Sequence, residues 1–236
     1  MKKTIHRADS RGHFDHGWLK TYHTFSFGQY YDPTHIHFGK LRVLNDDVIG
    51  PGQGFGRHPH DNMEIVTIPL HGALAHADSE GHEQVIRPNE IQIMSAGTGI
   101  WHSEYNHSDS ESAGLLQIWI FPDAKGHKPR YDQKTIDPLA RQDKFHTFVS
   151  PAQEEDTLWL HQDAYFSLAD LQQGAQTTSR LNSPGNGVYL FLIEGKIEVA
   201  GEDLNRKDGI GLWEIDEFTV QSQSESQLLA IEVPMR

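Results

Sequence analysis

Apolar residues in this chain come in short runs or strict alternations, broken by glycine, proline, asparagine and aspartate. Alternation of that kind has the two-residue period of strands, and the 3.6-residue period of helices is nearly absent. Strands are predicted over residues 41–44, 64–70 and 73–77, with His71-Gly72 as the turn between the last two. A turn at 78–81 leads to strands at 84–86 and 91–94, which flank a Pro-Asn turn. The run LLQIWIF at 115–121 reads as the longest buried strand. Beyond Pro122 the chain turns polar, with Gly126 and Pro129, and the stretch to about Gln142 is predicted to be a linker. A second set of strands starts near Phe145. The one helical hint lies at 165–173, where Leu168 and Leu171 stand three apart. Many short strands at roughly 8–12-residue spacing predict an all-β sandwich or barrel.

A faint internal repeat sharpens this. Residues 66–72 (VTIPLHG) match 189–195 (YLFLIEG) in pattern, and a short strand and polar turn follow each glycine. Next comes Asn89-Glu90 or Asp208-Gly209, then another apolar strand. The repeat predicts two barrels: an N-terminal one with its linker over 1–142 and a C-terminal one over 143–236.

Composition narrows the chemistry. The 236 residues contain no cysteine, so disulfides are excluded and a metal must be held by nitrogen and oxygen. No apolar run approaches the ~18 residues of a membrane helix, and Met1-Lys2-Lys3-Thr4-Ile5-His6 lacks the apolar stretch of a secretory signal. A cytoplasmic protein with no membrane partner is expected. Lysine and arginine total 20 against 33 acidic residues, a net charge of −13 that disfavours direct nucleic-acid binding. The 16 histidines are the unusual count, scattered from His6 to His161.

Two segments carry candidate chemistry. In Gly52-Gln53-Gly54-Phe55-Gly56-Arg57-His58-Pro59-His60, two histidines at i and i+2 share one face of an extended strand. Pro59 holds His58 extended, and the glycines before it permit a tight approach loop. In Gly97-Thr98-Gly99-Ile100-Trp101-His102-Ser103-Glu104, His102 and Glu104 form a second such pair. One pair alone is weak; His35-Ile36-His37 has the same spacing by chance. Two antiparallel strands that each present a pair give a four-ligand set, His58, His60, His102 and Glu104. Nitrogen and carboxylate donors suit Fe(II), Mn(II), Ni(II), Cu(II), Zn(II) or Co(II), and four ligands on an octahedral ion leave two positions open.

Gly52-x₅-His58-x-His60-x₃-Glu64 followed by Gly72, and Gly99-x₂-His102-x₃-Asn106, resemble the two motifs of the cupin superfamily. The stretches HTFSFG at 23–28, YYDP at 30–33, RVLNDD at 42–47, His58-Pro59-His60 and QIMSAGTGIWHSE at 92–104 resemble the pirin family, including bacterial pirin-like quercetinases. The resemblance runs almost unbroken from residue 12 to 122. It implies a bicupin, two face-to-face antiparallel jelly-roll-like β-barrels, with one iron held in the first by His58, His60, His102 and Glu104. Glu64, a ligand position in many cupins, is left beside the site. Counting from the repeat, the C-terminal barrel carries Leu181, Ser183 and Gln221 where the first has His58, His60 and His102, so it is expected to lack metal ligands. His161 is expected to be a hydrogen-bonded histidine.

The activity the resemblance implies is quercetin 2,3-dioxygenation. The flavonol 3-hydroxyl loses its proton, O₂ adds across C2 and C4, the ring opens to a depside and CO leaves. Glu104 is the candidate catalytic base. Phe25, Phe27, Phe38 and Trp101 are candidate pocket residues, although aromatics of this kind are more often core, and core is the expectation for each. The rival expectation, also from the family, is a non-enzymatic iron-binding redox sensor that partners other proteins. A monomer is expected.

Overall fold

A strand must pair its backbone groups along both edges or leave them to solvent. The described residues meet this demand with two seven-stranded and two four-stranded sheets, whose strands pair antiparallel except for one short parallel pair. The computed structural model describes residues 1–154 and 156–236. In the first barrel the seven-stranded sheet runs, in spatial order, Arg130–Thr135, Glu90–Ser95, Glu64–His71, Ala113–Ile120, Leu41–Ile49, Leu19–His23 and Gly12–Asp15. Its four-stranded sheet runs Gly54–His60, Ile100–Asn106, Leu74–Asp78 and Glu83–Ile86. The second barrel repeats this plan. Its larger sheet runs Lys2–His6, Gly209–Trp213, Asn186–Glu194, Ser226–Pro234, Tyr165–Leu171, His146–Ser150 and Leu158–Trp159. Its smaller sheet runs Gln176–Arg180, Glu217–Ser222, Lys196–Val199 and Glu202–Asn205.

Three details differ from the sequence-based expectations. The stretch predicted as a linker contains the strand Arg130–Thr135, bonded to Glu90–Ser95 at the edge of the first barrel. Edge strands are half wet, so its polar composition hid it. The helical hint at 165–173 is the strand Tyr165–Leu171. An odd spacing puts Leu168 and Leu171 on opposite faces: Leu168 packs between the barrels and Leu171 inside the second one. Lys2–His6, counted with the N-terminal barrel, pairs with Gly209–Trp213 in the second.

The two larger sheets pack against each other. Val66, Ile68, Leu116, Ile118 and Ile120 from the first meet Phe166, Tyr189, Phe191, Leu229 and Ile231 from the second in one core. Alternate residues of Asn186–Glu194, Val188, Leu190 and Leu192, fill the interior of the second barrel. That strand is buried on both faces, which explains its unbroken apolar run. The first barrel differs: between Leu116 and Ile118 the buried face turns to Gln117, and its neighbours Asn45 and Thr67 are polar as well. No helix among the described residues is long and apolar enough to cross a membrane.

The shared core makes a stability prediction. Leu229 is fully buried at the junction, so Leu229→Ala should cost ~2–5 kcal/mol, the range for buried leucine truncation. Denaturant unfolding monitored by tryptophan fluorescence measures it.

Candidate metal centre

The polar residues inside the first barrel converge on one strand. Ile100–Asn106 pairs with Gly54–His60 on one edge and Leu74–Asp78 on the other. His102 lies opposite His58, and Glu104 lies opposite His76. A bulge between His102 and Glu104 shifts the register against the Gly54–His60 strand, the kind of irregularity that re-aims a side chain. Gly54 permits this pairing. A Cβ there would fall 2.2 Å from the Glu104 carbonyl oxygen and 2.5 Å from the Tyr105 Cα.

The four sequence-predicted residues fall into two overlapping groups. His58, His60 and His102 bring ring nitrogens within 4.8 Å of one another. Glu104 gathers with His102 and with His76 at the same limit. His102 is the shared member, and His58 Nε2 stands 2.9 Å from His102 Nε2. His58 Nδ1 donates to the Gly56 carbonyl at 2.8 Å, which leaves Nε2 as the lone-pair nitrogen. His58 and His60 are half-buried, while His76, His102 and Glu104 are buried.

His76 escaped the sequence reading. It sits alone in its strand, without a partner histidine at i+2. The available signal was the buried alternation of Leu74 and His76 in a strand otherwise made of small and polar residues. Asp78 explains its placement: Oδ2 lies 3.3 Å from His76 Nε2, and the same carboxylate reaches His82 Nδ1 at 2.9 Å. His76 Nδ1 has no hydrogen-bond partner among the described residues.

Burial sets the protonation states. It holds His102 down to about 2 and His60 to about 4, each helped by the neighbouring imidazoles. Both rings are therefore neutral and offer lone pairs at any ordinary pH. Burial drives the Glu104 carboxyl the other way, up to about 7, assisted by Asp47 and opposed by the polar side chains of Gln92, Gln117 and Thr67 around it. Gln117 Nε2 donates to Glu104 Oε2 at 2.9 Å, and Oε1 has no partner among the described residues. Neutral imidazoles beside a buried carboxyl with a free oxygen fit a divalent first-row cation, which would reverse the burial penalty on the carboxylate.

Beside this cluster the barrel holds a cavity of about 210 Å³, lined by Phe14, His23, Phe27, Asn45, Asp47 and Phe55 among others. Trp119 connects the two: its ring stands edge-on to His60 at 4.9 Å and to Phe27 at 5.2 Å. Of the four candidate aromatics, Phe27 lines the cavity. Phe25 and Phe38 belong to the core between the barrels, and Trp101 is half-exposed, with the Arg57 guanidinium over its ring. Glu64 points away from the cluster. It accepts from Ser95 Oγ at 2.6 Å and faces His161 Nδ1 at 3.2 Å.

The second barrel has different residues at the matching places. Its ladder pairs Ser222 with Ile197 as the first pairs Asn106 with Leu74. The counterparts of His102, Glu104 and His76 are then Phe218, Val220 and Val199, all in the apolar core. The sequence repeat had pointed to Gln221 for His102, three residues off, because turn lengths differ.

The family profile described as Pirin matches residues 4–120, and one described as the quercetinase C-terminal cupin domain matches 147–233. The chain is 41% identical over 230 residues to quercetin 2,3-dioxygenase of Escherichia coli K12, covering 98% of each chain. It is 39% identical to a pirin-like protein of Caulobacter vibrioides, over 95% of this chain and 96% of that one. Among solved structures it is similar to the bacterial pirin YhhW from Escherichia coli in complex with nickel(II), with TM-score 0.93, 38% identity and 99% of each chain covered.

The raised Glu104 pKa makes a stability prediction for the chelator-treated protein. A carboxyl lifted from 4.5 to about 7 contributes stability that is complete below its unfolded pKa and lost as pH rises through 7. Glu104→Gln keeps the neutral form at every pH. The variant should therefore gain on the wild type between pH 5 and 8, by on the order of 3 kcal/mol at the upper end. Equal pH profiles in denaturant unfolding would show that the carboxyl is not so perturbed.

Proposed function

As this chain belongs to the pirin family, we propose that it is a metal-dependent, quercetinase-like dioxygenase that cleaves a flavonol with O₂ and releases CO. The observation that carries this reading is the meeting of His58, His60 and His102 beside Glu104, next to an aromatic-lined cavity. In this proposal the three histidines and Glu104 hold one divalent ion, Fe(II) by preference, although the same donors accept nickel, manganese, copper, zinc or cobalt. The ion, when bound, supplies Lewis acidity that makes the flavonol hydroxyl a stronger acid.

The remaining work belongs to side chains. Glu104, with one carboxylate oxygen free of hydrogen bonds among the described residues, receives the hydroxyl proton as general base. Gln117 orients the carboxylate through its other oxygen. Phe14, Phe27 and Phe55 give a flat ligand stacking walls, and His23, Asn45 and Asp47 supply the polar contacts on the same cavity. The cavity is smaller than the ~300–1,000 Å³ usual for ligand pockets, so a flavonol would fill it with one ring. The rest would extend past the half-exposed His58 and His60. We assign the metal chemistry to the first barrel, whose strands run from Gly12–Asp15 to Arg130–Thr135, and a packing role to the second, which Lys2–His6 joins.

Two measurements test the proposal. His60→Ala should fold with an unchanged circular dichroism spectrum and bind Fe(II) at least ~10–100-fold more weakly, since even loss of a ligand's outer partner costs that much. Protein loaded anaerobically with Fe(II) and then exposed to oxygen should release CO from quercetin, and His60→Ala should not. An iron-loaded wild type that yields no CO would sink the dioxygenase reading in favour of a redox-sensing partner of other proteins.

A further inference from the structure

Away from the metal centre, a second cavity of about 440 Å³ lies between the barrels. Tyr22, Asp46 and His71 of the first barrel line it, with Glu194, Arg206 and Lys207 of the second and Arg11 near the N-terminus. None of these residues belongs to the metal cluster. The two cavities lie on opposite faces of the same strands: Thr21 and Asp47 line the inner one, Tyr22 and Asp46 this one.

Burying a cation is costly unless a partner balances it. Arg11 and Lys207 are only 8% and 9% exposed, yet they share one carboxylate. Asp46 lies 3.4 Å from Arg11 Nη2 and 3.2 Å from Lys207 Nζ. Arg11 Nε and Nη1 have no hydrogen-bond partner among the described residues. The guanidinium sits over the rings of Tyr22 and Phe191 instead. Arg206, largely exposed, is matched by Glu194 at 2.6 Å. Among the charged side chains that line the cavity, three cations thus face two carboxylates. Lys207 is also held at φ +69°, a backbone conformation that favours glycine and costs other residues energy. Val48, Leu70 and Ile193 complete the wall with apolar surface.

We propose that this inter-barrel cavity binds a compact organic anion, its carboxylate or phosphate head between Arg11, Lys207 and Arg206 and its apolar body against Tyr22, Val48 and Leu70. The head would supply the missing negative charge, and the cavity walls would remove the body from water.

Calorimetric titration of the full-length, metal-loaded protein with benzoate, phenyl phosphate and neutral benzamide tests this. Both anions should bind at one site and benzamide should not. At a concentration about ten times Kd, each anion should raise Tm by roughly 3–5 °C. Lys207→Gln should weaken binding about 10–100-fold, the range for one charge-assisted hydrogen bond. Arg206→Gln should weaken it too, and this exposed position keeps the test sound if Lys207→Gln folds poorly. His60→Ala should bind the anions as the wild type does, which separates this site from the metal centre. Absence of binding, equal affinity for benzamide, or wild-type affinity in both charge variants would overturn the proposal.

Discussion

The backbone ladder along Ile100–Asn106 carries the metal centre. Because that strand is bonded on both edges, His102 and Glu104 inherit their positions from main-chain hydrogen bonds, as do His58 and His76 across from them. A one-residue slip would turn His102 and Glu104 outward and bring Trp101 and Ser103 inside. Two anchors oppose it. Ile100 packs with Ile65, Met94 and Ala96. At the other end the buried Asn106 amide donates to the carbonyls of Ile49, Gly50 and Glu111 at 3.1, 3.1 and 2.7 Å. The asparagine of the second sequence motif therefore acts as a register pin.

A polar barrel interior is costly, since buried polar groups without partners lose the hydrogen bonds that water would give them. Unpartnered atoms of His23, Asn45, Asp47, Gln92 and Glu104 lie within this half of the chain. Among the described residues the second barrel carries no such burden; aliphatic residues and Phe218 fill it. The apolar junction couples the two, so the well-packed half supports the half that keeps room for chemistry. The plan is one duplicated architecture in which the first copy keeps apolar clusters at its ends and gives the middle of its interior to polar residues.

Much of this was legible from residue order. Alternation revealed the strands at 64–70, 91–94 and 115–121, and the two i, i+2 pairs pointed to His58, His60, His102 and Glu104, which the fold brings into two overlapping clusters. The match between 66–72 and 189–195 anticipated the strand-for-strand duplication. What stayed hidden depended on pairing across distance. Arg130–Thr135 looked like linker because an edge strand needs little apolar character. His76 looked ordinary because its neighbours in the cluster lie on another strand. The meeting of Arg11 with Lys207 joins residues almost 200 positions apart, and nothing local in either segment announces the other.

The pairing of Lys2–His6 with Gly209–Trp213 also bears on how the molecule is made. Synthesis runs from N- to C-terminus at ~5–20 residues per second. Lys2–His6 therefore emerges about 200 residues ahead of Gly209–Trp213, the strand it bonds to. The first barrel can close around its own strands, Gly12–Asp15 through Arg130–Thr135, while this segment waits unpaired. The second barrel cannot finish until Lys2–His6 is recaptured, a late loop closure of the kind that slows folding. Until then Lys2–His6 is an open strand edge, with Lys2 and Lys3 as the charges that guard it against mispairing.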